Sequence, residues 1–486
     1  MSSVVTGQSS DGPLYRQVME VVGESISSGA LRPGDRLPSL RKMSQAVGVS
    51  VPTVQQVYVE LERQRRIEAR PRSGFFVRRT DEVPLVRPVP RGSTAPSRYR
   101  ARTLLPRVFE GIDQHDLVPL GIANPTMALP PTKALQRCVK RVMPRVGAQS
   151  LNYSATLGEL FLRRQLAYHF LDTTGAQVDP DSILITNGAQ EALLLALRAV
   201  AEPGDVIAAE SPTYHGILEL VENLGMLAVE IETCPEEGID TAALEAALEQ
   251  RSIKACVFAS TLNNPLGVTM PEVDRRRMLE LIARAGAVLI EDDVYGELRF
   301  DGTRPIPSAF LAGRSDGARI LTCGSVSKTA APGYRIGWVI SEEFHEPLAR
   351  LKRSFSVGSG MLAQYAIADF LASGDYGRHL TRLRSVLQKN CERMLSLIEQ
   401  HFPDGTRSSN PDGGGVLWVE LPRAVDSEQI FDRALEEGIS IAPGLIFAPC
   451  RRFGHFIRLG FGHPWDEATE NAVRWLGAEA ARQALA

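Results

Sequence analysis

The sequence predicts an α/β chain of two unlike parts: a winged helix-turn-helix, then a mostly parallel sheet covered by helices. Near the N-terminus, apolar residues at helical spacing form short helices joined through Gly48 and followed by two strand-like runs. From about residue 113, fully apolar runs alternate with helical stretches, the pattern of a parallel sheet buried on both faces. The charge is uneven as well. Residues 1–110 carry 18 Lys+Arg and 10 Asp+Glu, and the other 376 carry 36 and 47, within a net charge of -3. A basic head on an acidic body points to different partners for the two parts.

In the head, Leu14, Val18, Val21, Val22 and Ile26 repeat at helical spacing, and Ser27-Ser28-Gly29 closes that helix. Ser39 is placed to cap a second helix with Leu40, Met43 and Ala46 inward, and Gly48 makes the turn. Ser50 then caps a third helix whose buried face is Val51, Val54, Tyr58 and Leu61; Thr53, Gln55 and Gln56 lie on the other face. A wing follows: strand 67–70, the tip Pro71-Arg72-Ser73-Gly74 and strand 75–79. Such a third helix enters the major groove, where Gln55 and Gln56 reach base edges. Arg41, Arg72, Arg78 and Arg79 neutralise phosphates. Ser39, Ser50 and Thr53 complete the residues expected at the DNA.

Residues 80–112, with Pro84, Pro88, Pro90 and Pro96 among Arg and Ser, show no period and are expected to form an extended tether. The head is thus expected over 1–79 and the body over 113–486, with a smaller C-terminal subdomain from about 345. The six cysteines are scattered with no Cys-x-x-Cys pair, which argues against zinc or any other metal and against a disulfide framework. No apolar stretch approaches a membrane span and Met1–Gly7 has no signal-like character, so a reducing cytoplasm is expected.

In the body, the strand-like runs are 183–185, 206–208, 255–258, 287–290 and 320–321, and polar clusters fall just past their ends. Thr186-Asn187-Gly188-Ala189-Gln190 opens a helix whose first N–H groups suit a phosphate. Tyr214 can stack on a flat ring, Asn264 offers an amide at a turn, and Asp292 ends a strand with Tyr295 three residues on. Lys328 sits in a loop of small residues, Ser325 to Pro332, with Arg335 seven residues later. A desolvated lysine loses its proton and can condense with an aldehyde. The Arg335 fork and the Ser325 and Ser327 hydroxyls suit a phosphate. An aldehyde that is also a phosphate ester is pyridoxal 5′-phosphate, PLP.

Two resemblances sharpen this reading. Residues 12–79 resemble the GntR-type winged helix, through Pro13-Leu14-Tyr15 and Pro33-Gly34-Asp35-Arg36-Leu37-Pro38-Ser39. They depart from it at Ser50-Val51-Pro52-Thr53, where Ser-Arg-x-Thr is frequent. Residues 113–486 resemble the fold-type I aminotransferases, which implies a PLP-dependent domain of that fold. The resemblance implies that Lys328 holds PLP covalently, Asp292 pairs with the pyridine nitrogen, and Asn264 and Tyr295 bond the phenolic oxygen. Tyr214 would stack on the ring, with Ala189, Gln190, Ser325 and Arg335 on the phosphate. Tyr153 matches the tyrosine that reaches a neighbouring subunit's phosphate, which implies a homodimer. Arg458, with Asn264, would hold a substrate carboxylate. Leu266 departs from the usual Asn-Pro-Thr-Gly, and Ala123-Asn124-Pro125 from the usual Gly-x-Pro.

Head, tether and body in this order resemble the MocR-type regulators. That resemblance implies a bacterial transcription factor that binds promoter DNA and senses an amino compound or PLP. A working aminotransferase with an auxiliary head needs the same residues and is the alternative.

Overall fold

Ser39 accepts a hydrogen bond from the Lys42 N–H and so starts helix α1 (Leu40–Val47), which Gly48 ends at φ +68, a turn that a Cβ would strain. Helix α2 (Val51–Arg63) begins where Ser50 Oγ accepts from the Thr53 N–H at 3.3 Å. Strands β1 (Ile67–Arg70) and β2 (Gly74–Val77) pair antiparallel as the wing. The computed structural model describes residues 19, 22, 31, 35–63, 67–70, 74–77, 83–86, 96–97, 104–113, 117–311, 317–449 and 451–485. They fall in two compact units, 1–82 and 83–486.

Three details of the head differ from the sequence reading. Val51 is 37% exposed and Ala46 is exposed, while Val57 is wholly buried with Val54, Tyr58 and Leu61. The inward face of α2 runs through 54, 57, 58 and 61, and Val51 lies at the helix start, outside that stripe. In α1, Met43 is buried and Leu40 and Val47 pack beside it. Arg36 also bridges Phe76, with the Leu37 N–H bonding the Phe75 carbonyl at 2.8 Å. The segment before α1 therefore adds an edge to the wing that no apolar pattern announced. Residues 13–15, Leu14, Val18, Val21, Ile26, Arg72, Arg78 and Arg79 lie outside the described residues.

The body is built on an eight-stranded sheet, in the order β4 (Ile183–Thr186), β11 (Gly337–Ile340), β10 (Arg319–Ser325), β9 (Val288–Asp292), β8 (Ile253–Phe258), β5 (Val206–Ser211), β6 (Leu227–Cys234), β7 (Gly238–Ile239). Strands β10, β9, β8, β5 and β6 are mutually parallel; β11 runs antiparallel between β4 and β10, and β7 antiparallel to β6. Neighbouring residues of one strand feed opposite cores. Ala208, Cys256 and Leu289 pack with helices α8 (Thr241–Gln250) and α9 (Glu272–Arg284), whereas Ala209, Val257 and Ile290 pack with α6 (Ala189–Val200) and α7 (His215–Asn223). Burial on both faces accounts for the unbroken apolar runs.

A smaller antiparallel sheet joins β12 (Arg407–Ser408), β13 (Val416–Glu420), β16 (Phe456–Gly460) and β15 (Ala442–Pro443). Strand β3 (Val118–Pro119) pairs with β14 (Ile439–Ser440) and ties the start of the body to this lobe. The small lobe, expected from about residue 345, has its own sheet only from Arg407. Helix α10 (His345–Phe355) packs on α6 and β4, and α11 (Met361–Ala372) on α4 (Thr132–Val146) and α5 (Leu160–Thr174). Helices α12 (Asp375–His401), α13 (Ser427–Glu436) and α14 (Glu467–Ala484) complete the body.

Within the segment 80–112 expected as a tether, the described residues pack on the body. Val86, Leu104, Leu105 and Val108 are buried in the body's core, Ser97 exchanges two backbone bonds with Ala228, and residues Leu105–Asp113 form helix α3. Apolar side chains four apart (Leu104, Val108) override the Pro and Arg content around them. No described helix is long and apolar enough to cross a membrane. The described residues contain no cluster of three or more His, Cys, Asp or Glu placed to hold a metal.

Candidate cofactor and ligand site

The C-terminal ends of the parallel strands open on a cavity of about 290 Å³. Its walls include Ala189, Gln190, Tyr214, Asn264, Asp292, Tyr295, Ser325, Lys328, Arg335 and Arg458, ten residues that the sequence placed on six separate loops and strands. The site is thus assembled by topology: β4 delivers Gly188 and Ala189, β5 Tyr214, β8 Asn264, β9 Asp292, and the β10–β11 hairpin Ser325, Lys328 and Arg335.

Lys328 is half-buried, with Nζ donating to the Ala123 carbonyl at 2.7 Å. Burial, then the positive charges of Arg458 and Arg335, pull its pKa down to about 8 against the pull of Asp292. The amine is therefore neutral far more often near neutrality than a surface lysine. Asp292 is driven the other way, up to about 7, mainly by burial. Its Oδ1 is buried without a protein partner, as is the Tyr295 hydroxyl. Orphaned polar atoms aimed at a cavity are costly unless something fills it.

The opposite wall is a cup. Gly188, at φ +84, precedes α6, and a Cβ there would lie 2.3 Å from Arg335 Nη2. Gly337 approaches the same backbone, so that a Cβ would meet Gly188 C at 2.5 Å. Two glycines let β11 bring Arg335 against the start of α6, where its Nη2 donates to the Asn187 carbonyl at 3.0 Å. Ser325 Oγ accepts from the Ser327 N–H at 3.1 Å, and the Ser327 hydroxyl has no partner. Gln190 holds the Gly216 carbonyl at 3.1 Å, beneath the ring of Tyr214. N–H groups, a guanidinium and hydroxyls around one hollow make a site for a phosphate. Aldehyde-trapping amine, ring-facing carboxyl and phenol, and phosphate cup together fit PLP.

Arg458 is buried on β16, donating to the Gly121 carbonyl and, at 3.3 Å, to Asn264 Oδ1. Its Nε has no partner. Tyr153 is not part of this cavity; it is 86% exposed. Among the wall residues to which the sequence reading gave no role are Glu210, His215 and Phe109. Glu210 is buried, accepts from the Ala259 N–H at 3.0 Å and is pushed up to about 8 by burial. Its place in Glu210-Ser211-Pro212-Thr213-Tyr214, at the end of β5, was the available signal. His215 and Phe109 also line the cavity. Phe109 carried no signal, because it comes from the segment read as tether.

In the head, Ser39, Arg41, Ser50, Gln55 and Gln56 are exposed and Thr53 is half-exposed, hydrogen-bonded to Ser50 Oγ. Arg72 lies outside the described residues.

The profile of aminotransferase class I and II matches residues 116–475, and that of the bacterial regulatory proteins of the gntR family matches residues 14–77. The chain is 36% identical to an uncharacterized HTH-type transcriptional regulator of Escherichia coli, YjiR, over 95% of this chain and 98% of that one. It is 31% identical to the HTH-type transcriptional regulator TauR of Rhodobacter capsulatus, over 93% of each. Among solved structures, the body is similar to LysN, the alpha-aminoadipate aminotransferase of Thermus thermophilus, solved with N-(5′-phosphopyridoxyl)-L-leucine. That match has a TM-score of 0.72 at 28% identity and covers 79% of this chain and 95% of LysN. The chain belongs to the HTH-type transcriptional regulators in which a GntR-family head is fused to a class I and II aminotransferase domain, the MocR-type architecture.

Proposed function

We propose that this regulator holds PLP through Lys328 and uses it to sense a small amino compound, which changes how the head engages promoter DNA. The observation that carries the reading is the meeting of a pKa-lowered Lys328 with the orphaned Asp292 Oδ1 and Tyr295 hydroxyl around one cavity. LysN, similar over the same fold, is solved with a phosphopyridoxyl amino acid.

When bound, PLP supplies an aldehyde for amines and a protonated ring that draws electrons from a ligand's α-carbon. The protein's part is to place and polarise. Lys328 presents a neutral amine. Asp292, once it faces a cationic ring nitrogen, gives up its proton and becomes the counter-charge. Asn264 and Tyr295 hold the phenolic oxygen, Tyr214 covers the ring, and Ala189, Gln190, Ser325 and Arg335 receive the phosphate. Arg458 takes the ligand's carboxylate, and the released Lys328 is available as a base. Tyr153, exposed in its own chain, completes the phosphate cup of a partner subunit in a homodimer. In the head, Gln55 and Gln56 read bases, while Ser39, Arg41, Ser50, Thr53 and Arg72 fix the duplex.

The signal requires a ligand that binds two states of the body unequally. The test is an absorbance spectrum of the purified protein, wild type and Lys328→Ala, followed by titration with amino acids and a promoter-binding assay. The reading expects a visible band that needs Lys328, is altered by some amino acid, and changes promoter affinity with it. No band in the wild type overturns it. Full conversion to the pyridoxamine form with no change at the promoter assigns the chain to aminotransferase work instead.

A further inference from the structure

Phe109 and His215 form a cavity wall to which the sequence-predicted PLP residues contribute nothing. Phe109 projects from α3 and His215 from the start of α7; their rings meet edge to face with centroids 5.5 Å apart. Behind them, His215 lies 6.3 Å from Phe447, over whose ring the Arg458 guanidinium sits at 5.2 Å. The patch is therefore continuous with the group that takes the ligand's carboxylate. Ile217 and Leu193 extend it as apolar surface.

We propose that Phe109 and His215 are the subsite for the ligand's side chain, and that they select an α-amino acid with an uncharged, apolar or aromatic side chain. This rests on the reading above of Arg335 as the phosphate's partner and Arg458 as the carboxylate's. With those two committed, Lys328 is the remaining lysine or arginine among the residues lining the cavity, and it is engaged by the cofactor. A second carboxylate on the ligand would find no cation. It would face the uncharged Glu210 carboxyl and the Asp292 carboxylate instead. A cationic side chain would meet Arg458 with Asp292 already committed. Burial holds the His215 pKa below its ordinary value against the pull of Glu219, with the charges of Arg458 and Lys328 adding to the lowering. Its Nδ1 lies 3.6 Å from Glu219 one turn along α7. An uncharged side chain gains from covering Phe109, which is 43% exposed, at roughly 25 cal/mol per Å² of apolar surface removed from water.

The PLP-loaded full-length protein is titrated with phenylalanine, leucine, alanine, glutamate and lysine while the cofactor's absorbance is followed. Phenylalanine and leucine are expected to bind at least about tenfold more tightly than glutamate or lysine. Phe109→Ala should cost phenylalanine about tenfold and alanine far less, since alanine does not reach the wall. Phe109→Arg should invert the order, with glutamate above phenylalanine. Glutamate or lysine binding as tightly as leucine in the wild type overturns the assignment. So does an equal loss for every amino acid in Phe109→Ala. A protein with no cofactor band at all is a separate result: it overturns the PLP reading itself.

Discussion

Lys352 has no exposed surface, and its Nζ lies 2.6 Å from the carboxylate of Glu191 in the first turn of α6. The same carboxylate accepts from the Asn187 N–H, and the Asn187 carbonyl accepts from Arg335. Lys352 also donates to Ser359 Oγ at 3.1 Å. Burial acts to raise the Glu191 pKa, but the hydrogen bonds from Lys352 and Asn187, with the Lys352 charge, act against it and the group lies below its ordinary range. A buried ion pair thus fixes the backbone from which the phosphate cup is made.

Lys352→Met leaves Glu191 as an uncompensated charge and is expected to destabilise the body by about 3–5 kcal/mol. It should also weaken PLP more than pyridoxal, which lacks the phosphate. Denaturant melts and equilibrium dialysis against both compounds measure this. Equal weakening of the two would detach the pair from the cup.

Asp292 gives a pH signature in protein stripped of cofactor. Its folded pKa, raised to about 7 from an ordinary 3.8, means that the folded state keeps a proton which the unfolded chain releases. That contribution is complete below the unfolded value and fades as pH rises to about 7. Asp292→Asn removes it, so wild type should lose stability relative to the variant over that window. The slope is roughly 1.4 kcal/mol per pH unit at most. Parallel stability curves for the two proteins between about pH 4 and 7 would rule out a raised Asp292.

For Lys328 the sign runs in the opposite sense. A folded pKa lowered to about 8 makes the neutral amine the major form above that pH. Capture of added PLP should therefore accelerate with pH and level off above about 8. Arg458→Gln removes the larger of the two neighbouring positive charges and should move the midpoint upward. Stopped-flow absorbance reads both, and an unmoved midpoint would contradict Arg458 as a cause.

Much of this site was legible because its chemistry sits at strand ends, where a switch from apolar run to small polar residues is visible in one dimension. Lys328, Asp292 and Asn264 each follow such a switch. Phe109 and Lys352 were not legible for the opposite reason. One lies in a segment dominated by Pro and Arg, and the other is a helical lysine whose burial depends on a carboxylate 161 positions away. In the head, Val51 and Val57 both fit a helical period, and only the packing of β2 and the strand-like edge at Arg36 decides which one turns inward.

For the DNA-facing surface, Arg41→Ala is expected to weaken binding to all sequences alike and to lower the salt slope by about one. Gln55→Ala should mainly relax sequence preference, costing roughly 1–3 kcal/mol of discrimination at one position. Competition binding at several salt concentrations separates the two. A Gln55 variant that discriminates as well as wild type is not reading a base.

The reversed strand β11 divides the site into one compact hairpin and a set of separate outer walls. Because it returns beside β10 and abuts β4, Ser325, Lys328 and Arg335 share one hairpin and keep their mutual spacing whatever happens elsewhere in the chain. Amine and guanidinium are carried by one hairpin, while Phe109, His215 and Arg458 come from α3, α7 and the small lobe. A substitution in those outer walls can therefore reshape the cavity without touching the hairpin that carries the amine.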